Sequence, residues 1–553
     1  MTYLDVYNKW INSKILDDKE RQTLKNMNDA EISDAFYRNL EFGTAGLRGV
    51  MGLGSNRMNK YTVRLATQGL ANEIIGLGGD SKERGVAIAF DSRNHSQEYA
   101  LECAKVLSKN DIKVYLFDSL RPTPELSFAV RYLNCIRGII ITASHNPKEY
   151  NGYKVYGEDG AQLSPDSAQI IMKEMESLDI FEDVAYTDTP SYVSVGSEID
   201  DAYIAAVKAQ SMGIDIPEDF KVIYTPLHGS GNLLVRRILK EIGANNVFVV
   251  PEQEKPNGDF PTVISPNPEN PEAFTIAIEY AKNQKADLIF GTDPDSDRIG
   301  VVTKNSQGEY IVLNGNQTGS LLANYILKKE SEKGNLKGKK SLIKTIVTTD
   351  MIRKIANAYG VECIDVLTGF KFIGEQIKLF EANNEFNRYV FGLEESYGYL
   401  RGTYARDKDA VVASMLICEM AADYYSRGMT LYDGLLELYK TYGHYKETLI
   451  TITLKGKSGA EKIQEIMCDF RNNPPKELAG FKVDTIKDYS KGIDNLPKSN
   501  VLKFFFDKGW LAIRPSGTEP KIKFYISVFG DNMEQAEETT RLIQDFVNKA
   551  TAQ

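Results

Sequence analysis

The sequence predicts an α/β protein with three successive α/β domains and a smaller α+β domain at its C-terminal end. Its 553 residues exceed what one core usually holds, and this length gives about three to four domains. Short apolar runs rich in β-branched residues recur between helical stretches, as in βαβ units with parallel strands. The C-terminal segment differs, because its strands at 502–506, 509–514 and 521–528 follow one another directly before a closing amphipathic helix.

The apolar runs divide into three groups that each resemble one α/β domain. Polar, amphipathic helices are predicted over residues 1–40. The predicted strands are 85–91, 113–117 and 137–141 in the first group, 220–224, 246–250 and 286–291 in the second, and 342–347, 361–366 and 389–393 in the third. A Lys- and Gly-rich stretch at 329–340 is predicted to be a linker. The expected domains are 1–205, 206–322, 323–445 and 446–553.

Composition excludes several classes of protein. The net charge of −10 disfavours nucleic acid and anionic membranes as partners. The five cysteines are scattered without a CxxC pair, so neither a zinc site nor a disulfide framework is indicated. No N-terminal secretory signal and no apolar run of about 20 residues is recognised. We therefore expect a cytoplasmic protein.

One short loop carries a hydroxyl at a position typical of ligand sites. The stretch 142–147, Thr-Ala-Ser-His-Asn-Pro, follows the buried strand 137–141, and open α/β sheets bind ligands at the carboxyl ends of such strands. Residues 150–156 are predicted to form a hairpin with Asn-Gly at its turn, which could return Lys154 to Ser144. The alternatives are a helix-capping serine and a surface lysine.

The strongest local signal is the stretch 293–298, Asp-Pro-Asp-Ser-Asp-Arg, at the end of the strand 286–291. Three carboxylates this close repel each other unless a hard cation neutralises them. An EF-hand would need Gly and Glu where Arg298 and Lys304 stand. The pattern favours Mg²⁺, with water and substrate oxygens completing its shell.

Three further loops carry basic and polar groups. Glycines bracket Arg48 in 43–49, and a hairpin with a solvated arginine is the alternative. Glu394 and Ser396 follow a strand and suit sugar hydroxyls, and three basic residues lie just beyond: Arg401, Arg406 and Lys408. The alternative to a sugar-binding site here is a salt-bridged loop. The stretch 514–520 offers an arginine, two hydroxyls and free amides for a phosphate, or forms a plain hairpin loop.

Together these loops hold the parts needed for phosphoryl transfer: a hydroxyl, a hard-metal site, basic groups and a distal phosphate nest. The sequence lacks the GxxxxGK[ST] loop and the protein-kinase motifs, so a nucleotide donor is not indicated. The donor we expect is the serine itself, carried as phosphoserine.

With these motifs in this order, the sequence resembles the α-D-phosphohexomutase superfamily, and most closely its phosphoglucomutase and phosphopentomutase branch. The resemblance spans nearly the whole chain and rests on 43–49, 142–147, 293–298, 392–398 and 514–520. It implies three related α/β domains with mixed, mostly parallel sheets and a C-terminal α+β domain around a central cleft.

The resemblance also implies roles for individual residues. Ser144 would be the phosphorylated serine, and Arg48 and Lys154 the basic groups beside the transferring phosphoryl. Apart from the resemblance, we give His145 only an orienting role, because its place next to Ser144 in the sequence does not put its ring against the hydroxyl. The implied Mg²⁺ ligands are phosphorylated Ser144, Asp293, Asp295 and Asp297. The implied substrate-binding residues are Arg298, Thr368, Gly369, Lys371, Glu394, Ser396, Lys408, Arg514, Ser516, Gly517 and Thr518. Some members place His directly after the Thr-Gly of the third domain, whereas this chain has Phe370 and Lys371 there.

The expected activity is that of an isomerase that interconverts glucose 1-phosphate and glucose 6-phosphate through a sugar bisphosphate. Ribose and mannose phosphates are the alternative substrates. The alternative classes are a phosphatase that works through a phosphoserine intermediate and a non-catalytic sugar-phosphate-binding protein. The expected cofactors are Mg²⁺ and glucose 1,6-bisphosphate. We expect a monomer or weak homodimer that binds small sugar phosphates.

Overall fold

The computed structural model describes residues 2–42, 46–454, 456–516 and 521–551, without the side chains of 456, 457 and 460. It divides the chain into two compact units. The first unit comprises Met1–Val302, Gly374–Ala382 and Gly398–Asp423, and the second comprises Thr303–Ile373, Asn383–Tyr397 and Tyr424–Gln553. The predicted domain limits at 205, 322 and 445 stay predictions.

Helices and strands alternate through most of the chain. Up to residue 302 and just beyond, the elements are α1 (Tyr3–Ile11), α2 (Asp18–Lys25), α3 (Asp29–Phe36), β1 (Leu47–Val50), α4 (Lys60–Leu77), α5 (Ser81–Arg84), β2 (Val86–Phe90), α6 (Ser96–Lys109), β3 (Val114–Phe117), α7 (Thr123–Tyr132), β4 (Arg137–Ile141), β5 (Tyr150–Gly157), α8 (Pro165–Ser177), β6 (Val193–Val195), α9 (Ser197–Lys208), β7 (Val222–Thr225), α10 (Asn232–Glu241), β8 (Val247–Val249), α11 (Pro251–Glu254), a 3₁₀ helix (Pro271–Phe274), α12 (Thr275–Gln284), β9 (Leu288–Thr292) and β10 (Ile299–Lys304).

The remaining elements are β11 (Tyr310–Leu313), α13 (Gly315–Glu332), β12 (Ser341–Thr345), α14 (Met351–Ala358), β13 (Glu362–Val366), α15 (Phe370–Ala382), β14 (Tyr389–Glu394), β15 (Gly398–Leu400), α16 (Ala410–Tyr425), α17 (Leu431–Tyr442), β16 (His444–Thr453), α18 (Gly456–Asn472), β17 (Glu477–Leu478), β18 (Phe481–Asp488), a 3₁₀ helix (Tyr489–Lys491), β19 (Leu502–Phe506), β20 (Gly509–Pro515), β21 (Lys521–Gly530) and α19 (Met533–Thr551). Among the described residues, none of these helices is long and apolar enough to cross a bilayer.

The first sheet of the first unit has the order β1-β5-β4-β2-β3-β6. Strands β4, β2, β3 and β6 are parallel, whereas β5 is antiparallel to both β4 and β1. The apolar strands and helices α4, α6 and α8 enclose one core, since Ile88, Ile139 and Ile171 are all fully buried. The carboxyl ends of β2 and β4 therefore lie side by side.

The predicted Asn-Gly turn at 151–152 is wrong. Both residues lie inside β5, and the loop 142–149 connects β4 to β5. A Cβ on Gly152 would lie 2.5 Å from the carbonyl oxygen of Thr142 and 2.9 Å from that of Leu47, so glycine serves here for close strand packing. The Asn151 side chain donates to the Asn94 carbonyl and to Ser96 Oγ, each at 3.0 Å. The prediction of a linker from 329 is also wrong in part, because α13 continues to Glu332.

In the second sheet the strands of the first unit run in the order β10-β9-β7-β8. Strands β9, β7 and β8 are parallel, and β10 returns antiparallel beside β9. The tight connection between β9 and β10 is the stretch 293–298. Its aspartates are thereby held at the carboxyl end of a buried parallel strand.

In the second unit, β13, β12 and β14 are neighbouring parallel strands in that order. A separate antiparallel sheet has the order β16-β21-β20-β19-β18-β17, and α18 and α19 pack on it. The mixed, mostly parallel α/β sheets and the C-terminal α+β fold are thus as predicted. In this antiparallel sheet the sequence prediction missed β16, β17 and β18, and it missed α18. Elsewhere it missed β1, β6, β10, β11 and β15.

Candidate active site

Ser144 occupies a strained position at the carboxyl end of β4. Its φ of 52° lies in the left-handed region, and the residue is buried. The Ser144 hydroxyl donates to Asp293 Oδ2 at 2.8 Å and accepts from Arg298 Nη1 at 3.1 Å. A hydroxyl bonded to a carboxylate and a guanidinium together is unlike a simple helix cap.

A buried polar frame holds this loop in place. Thr142 Oγ1 accepts from the Ser144 N–H at 2.8 Å and donates to Asp91 Oδ2 at 2.6 Å. Arg93 donates to the carbonyl oxygens of Ser144 and Asn146, and at 2.9 Å to that of Pro147. Sequence reasoning did not include Asp91 and Arg93 in the site. The available signal was that both follow β2, the parallel neighbour of β4.

The three aspartates of 293–298 form one buried cluster. One oxygen from each of Asp293, Asp295 and Asp297 lies within 4.8 Å of the others. Asp293 Oδ1 accepts the backbone N–H groups of Asp297 and Arg298 at 3.2 and 3.1 Å. Asp295 Oδ2 accepts from Thr123 Oγ1 and Lys154 Nζ, both at 2.9 Å.

The remaining carboxylate oxygens suit a divalent cation. Asp297 Oδ2 lies 2.8 Å from Lys408 Nζ. The other oxygens of Asp295 and Asp297, both Oδ1, are buried and have no hydrogen-bond partner among the described residues. Buried carboxylate oxygens without a donor are costly, and hard cations prefer such ligands. The residues present therefore fit a divalent metal.

The pKa shifts of the aspartates are consistent with a cation site. Burial raises the pKa of Asp293 well above its ordinary value, and the charges of Asp295 and Asp297 raise it further. Burial also opposes ionisation of Asp295, but Lys154 and Lys408 overcome that effect and lower its pKa. Burial and the two neighbouring carboxylates thus disfavour the charged form of Asp293, and a bound cation would favour it.

The predicted basic residues of the first unit surround the serine and the aspartates. Arg48 on β1 donates to Asn146 Oδ1 at 3.1 Å. Lys154 on β5 lies opposite Ile140 of β4, so the chain does bring Lys154 back beside the strand that precedes Ser144. The Lys154 Nζ, however, contacts Asp295. His145 Nδ1 is 3.2 Å from Ser144 Oγ and contacts Arg298 Nη1. The His145 ring thus lies beside the Ser144 hydroxyl, a position that adjacency in the sequence does not ensure.

The predicted sugar-binding residues belong to the second unit. Glu394 is the buried last residue of β14, and Ser396 follows it. Thr368 and Gly369 follow β13, and Lys371 lies in the first turn of α15. Since β13, β12 and β14 are parallel, these residues lie along one carboxyl edge of their sheet.

The predicted phosphate loop is only partly described. Arg514 lies near the end of β20, opposite Lys523 of β21. The Ser516 N–H donates to the Lys521 carbonyl at 2.7 Å. Gly517 and Thr518 lie outside the described residues.

Comparison with known proteins gives a consistent result. Four models of phosphoglucomutase/phosphomannomutase domains match in order: α/β/α domain I over 39–180, domain II over 201–308, domain III over 314–442 and the C-terminal domain over 465–542. The phosphoglucomutase of Staphylococcus aureus strain MRSA252 is 41% identical over 90% of this chain and 91% of its own. That of strain USA300 is 40% identical over 92% of both chains.

Two solved structures have the same fold. A putative phosphomannomutase from Thermus thermophilus has a TM-score of 0.69 and 22% identity, covering 92% of this chain and 99% of its own. The open form of a phosphoglucomutase from Paramecium, pp63/parafusin, has a TM-score of 0.69 and 19% identity, covering 94% of this chain and 96% of its own.

The fold and the matching relatives define an isomerase that moves a phosphoryl group within its substrate. The chain belongs to the α-D-phosphohexomutase superfamily, in its phosphoglucomutase/phosphomannomutase family.

Proposed function

We propose that this protein is a phosphoglucomutase, which interconverts glucose 1-phosphate and glucose 6-phosphate. The observation that carries the proposal is the Ser144 hydroxyl, which is bonded to Asp293 of the carboxylate cluster and to Arg298. Relatives that are 40–41% identical over about nine-tenths of both chains are phosphoglucomutases, which favours glucose over ribose or mannose phosphate.

We assign Ser144 as the phosphoryl carrier. Phosphoserine transfers its phosphoryl group to the free hydroxyl of the sugar monophosphate, which yields glucose 1,6-bisphosphate. The bisphosphate turns, and its other phosphoryl group returns to Ser144 Oγ. Asp293, Asp295, Asp297 and the phosphoserine oxygens would hold Mg²⁺, which supplies charge stabilisation at the transferring group.

The neighbouring side chains have complementary roles in this scheme. Arg298 and Arg48 stabilise the charge on the phosphoryl oxygens, since guanidinium groups match their geometry. Lys154 neutralises Asp295, which it contacts, and in this scheme it moves the proton of the attacking hydroxyl. His145 orients Arg298, which it contacts. Lys408 holds the Asp297 carboxylate.

We propose substrate-binding roles for the remaining residues that the sequence singled out. Glu394 and Ser396 bind sugar hydroxyls, and Thr368, Gly369 and Lys371 line the adjacent edge. Arg514, Ser516, Gly517 and Thr518 bind the phosphate that does not react, in either orientation of the sugar. A general anion loop can do this because it recognises phosphate rather than one face of the sugar.

We further propose a cytoplasmic location and a monomer or weak homodimer. Free thiols at all five cysteines are compatible with a reducing compartment.

Substrate choice can be tested with a panel of three sugar 1-phosphates. With Mg²⁺ and trace bisphosphate present, we expect the highest kcat/KM for glucose 1-phosphate over ribose and mannose 1-phosphates in coupled assays. A higher kcat/KM for either alternative would contradict the assignment of glucose. Free phosphate as the main product would contradict a mutase altogether.

The role of Ser144 can be tested separately. We expect Ser144→Ala to abolish turnover, because no other described residue offers a hydroxyl bonded to both Asp293 and Arg298. Its circular dichroism should match the wild type, and its Mn²⁺ affinity should match that of the dephosphorylated wild type, since both lack the phosphoserine oxygens. Intact mass and phosphopeptide mapping should find phosphate on Ser144 in the wild type. Ser177→Ala, an exposed serine on α8, is the control and should keep activity. Turnover by Ser144→Ala would refute the assignment.

A further inference from the structure

Thr123 connects the first sheet to the carboxylate cluster. It is the first residue of α7 and is fully buried. Its Oγ1 donates to Asp295 Oδ2 at 2.9 Å, and its backbone N–H donates to the Asp295 carbonyl at 2.8 Å. One residue thus binds both the side chain and the main chain of Asp295. No sequence motif singled it out.

The two hydrogen-bond donors to the Asp295 carboxylate bind the same oxygen atom. Thr123 and Lys154 both bind Oδ2, whereas Oδ1 is buried without a hydrogen-bond partner among the described residues. A carboxylate can otherwise rotate and exchange its two oxygens. Because one oxygen is occupied, the other is left for a cation beside Asp293 and Asp297.

The hydroxyl of Thr123 is the more rigid of the two donors. Lys154 carries its ammonium on a flexible four-carbon stem with three donors, so it can follow a rotating carboxylate. Thr123 has one rotatable bond before its hydroxyl, and its main chain is itself bonded to Asp295. Lys154 therefore neutralises Asp295, while Thr123 determines the orientation of its carboxylate.

We infer that Thr123 is a positioning residue that sets which Asp295 oxygen faces the divalent cation, and so sets the affinity for that cation. The inference rests on the metal role given to the aspartates in the proposed function. Partners of this kind typically change metal affinity by about 10- to 100-fold when they are removed.

The test measures Mn²⁺ binding to the full chain without sugar, by calorimetry and by electron paramagnetic resonance of free Mn²⁺. Thr123→Val keeps the shape but removes the hydroxyl, and we expect its Kd to rise by about 10-fold or more. Thr123→Ser keeps the hydroxyl and should bind close to wild type. In turnover assays Thr123→Val should need more Mg²⁺ for half-maximal rate, with much of kcat recovered at saturation.

Ser127→Ala on the same helix is the matched control. Its hydroxyl is buried and bonds the Gly160 carbonyl and the Arg406 N–H, but makes no described bond to Asp295. We expect a loss of thermal stability with an unchanged Mn²⁺ Kd. All variants are compared at one phosphorylation state, confirmed by intact mass.

Several outcomes would overturn the inference. One is a folded Thr123→Val variant that binds Mn²⁺ as tightly as the wild type. The others are a loss of Mn²⁺ affinity in Thr123→Ser, or in Ser127→Ala, as large as the loss in Thr123→Val. If Thr123→Val does not fold, Thr123→Ala and Thr123→Ser carry the same comparison. A wild type that does not bind Mn²⁺ would overturn the metal role and this inference together. A wild type that binds Mn²⁺ but does not turn over glucose 1-phosphate would overturn only the proposed reaction.

Discussion

At the scale of single residues, Arg93 fixes the conformation of the loop that carries Ser144. It donates to four main-chain carbonyls, those of Ser144, Asn146, Pro147 and Tyr150. Burial lowers the pKa of Arg93 to about 10, although Asp91 favours its charged form. The left-handed conformation of Ser144 therefore depends on a buried cation that is not itself placed at the reacting atoms.

Replacing Arg93 with Met should destabilise the first unit strongly. The variant leaves Asp91 as a buried carboxylate without its cation and leaves several carbonyls without donors, so we expect a loss of about 3–5 kcal/mol. Urea unfolding followed by circular dichroism measures it. Arg236→Met is the control, because the exposed Arg236 pairs with Glu254 at the surface, and a loss of about 1 kcal/mol or less is expected. Equal losses would show that Arg93 has no special role.

The sequence was sufficient to nominate Ser144 and the three aspartates. Closely spaced carboxylates at the end of a buried strand repel one another unless a cation binds there, and such a cation gives the serine loop a partner. Arg93 follows a predicted strand, but the sequence could not show that it contacts the serine loop, and it could not indicate Thr123 at all. Arg93 contacts Ser144 across 51 positions, and Thr123 contacts Asp295 across 172. Such contacts are set by strand order, which single residues do not encode.

At the scale of elements, β5 determines where Lys154 lies. The strand passes between β1 and β4, so Arg48 and Lys154 both belong to strands that flank the serine loop. Gly152 makes this packing possible, since the carbonyl oxygens of Thr142 and Leu47 occupy the space of a Cβ. The position of the basic groups thus depends on a glycine without any chemical role.

Gly152→Ala should displace β5 and lower both stability and activity. The added Cβ would lie 2.5 Å from the Thr142 carbonyl oxygen, so the backbone must move. Overpacking of this kind costs about 1–3 kcal/mol. Calorimetry and the KM for glucose 1-phosphate measure the two effects. Gly76→Ala is the control, since nothing lies within 4 Å of its Cβ in helix α4, and stabilisation by up to about 1 kcal/mol is expected. A stable, fully active Gly152→Ala would contradict this account.

Buried parallel strands were predictable because both of their faces are apolar, as in β2 and β4, in which every residue is buried. The prediction failed for strands with one exposed face. In β16 one buried residue lies among half-buried and exposed ones, and β18 has only half-buried and exposed residues, so neither strand forms an apolar run in the sequence. Their pairing partners in the antiparallel sheet determine their conformation.

At the scale of the whole molecule, a few buried charges determine how stability depends on pH. In the second unit, Lys503 donates to the Ile346 carbonyl at 2.6 Å, and its Nζ lies 3.8 Å from the centre of the Trp510 ring. Burial, and then the charge of Lys344, lower its pKa from 10.5 to about 7. Asp350 and Asp365 oppose this shift, and Lys487 adds to it.

The contribution of Lys503 to the free energy of unfolding should therefore rise with pH between about 7 and 10.5. In this window the unfolded chain holds a proton on Lys503 that the folded chain has lost, so raising the pH favours the folded state. Lys503→Met removes this dependence and should be more stable than the wild type near neutral pH, with the difference shrinking as the pH rises.

Calorimetric Tm values of both proteins, compared between about pH 7.5 and 9.5, test this expectation. The lower limit avoids Glu447, whose pKa burial raises to about 7 and which makes stability fall with rising pH below that value. Lys482→Met, an exposed lysine of β18, is the control and should keep the wild-type slope. A difference between wild type and Lys503→Met that does not change with pH would mean that Lys503 stays charged within the folded second unit.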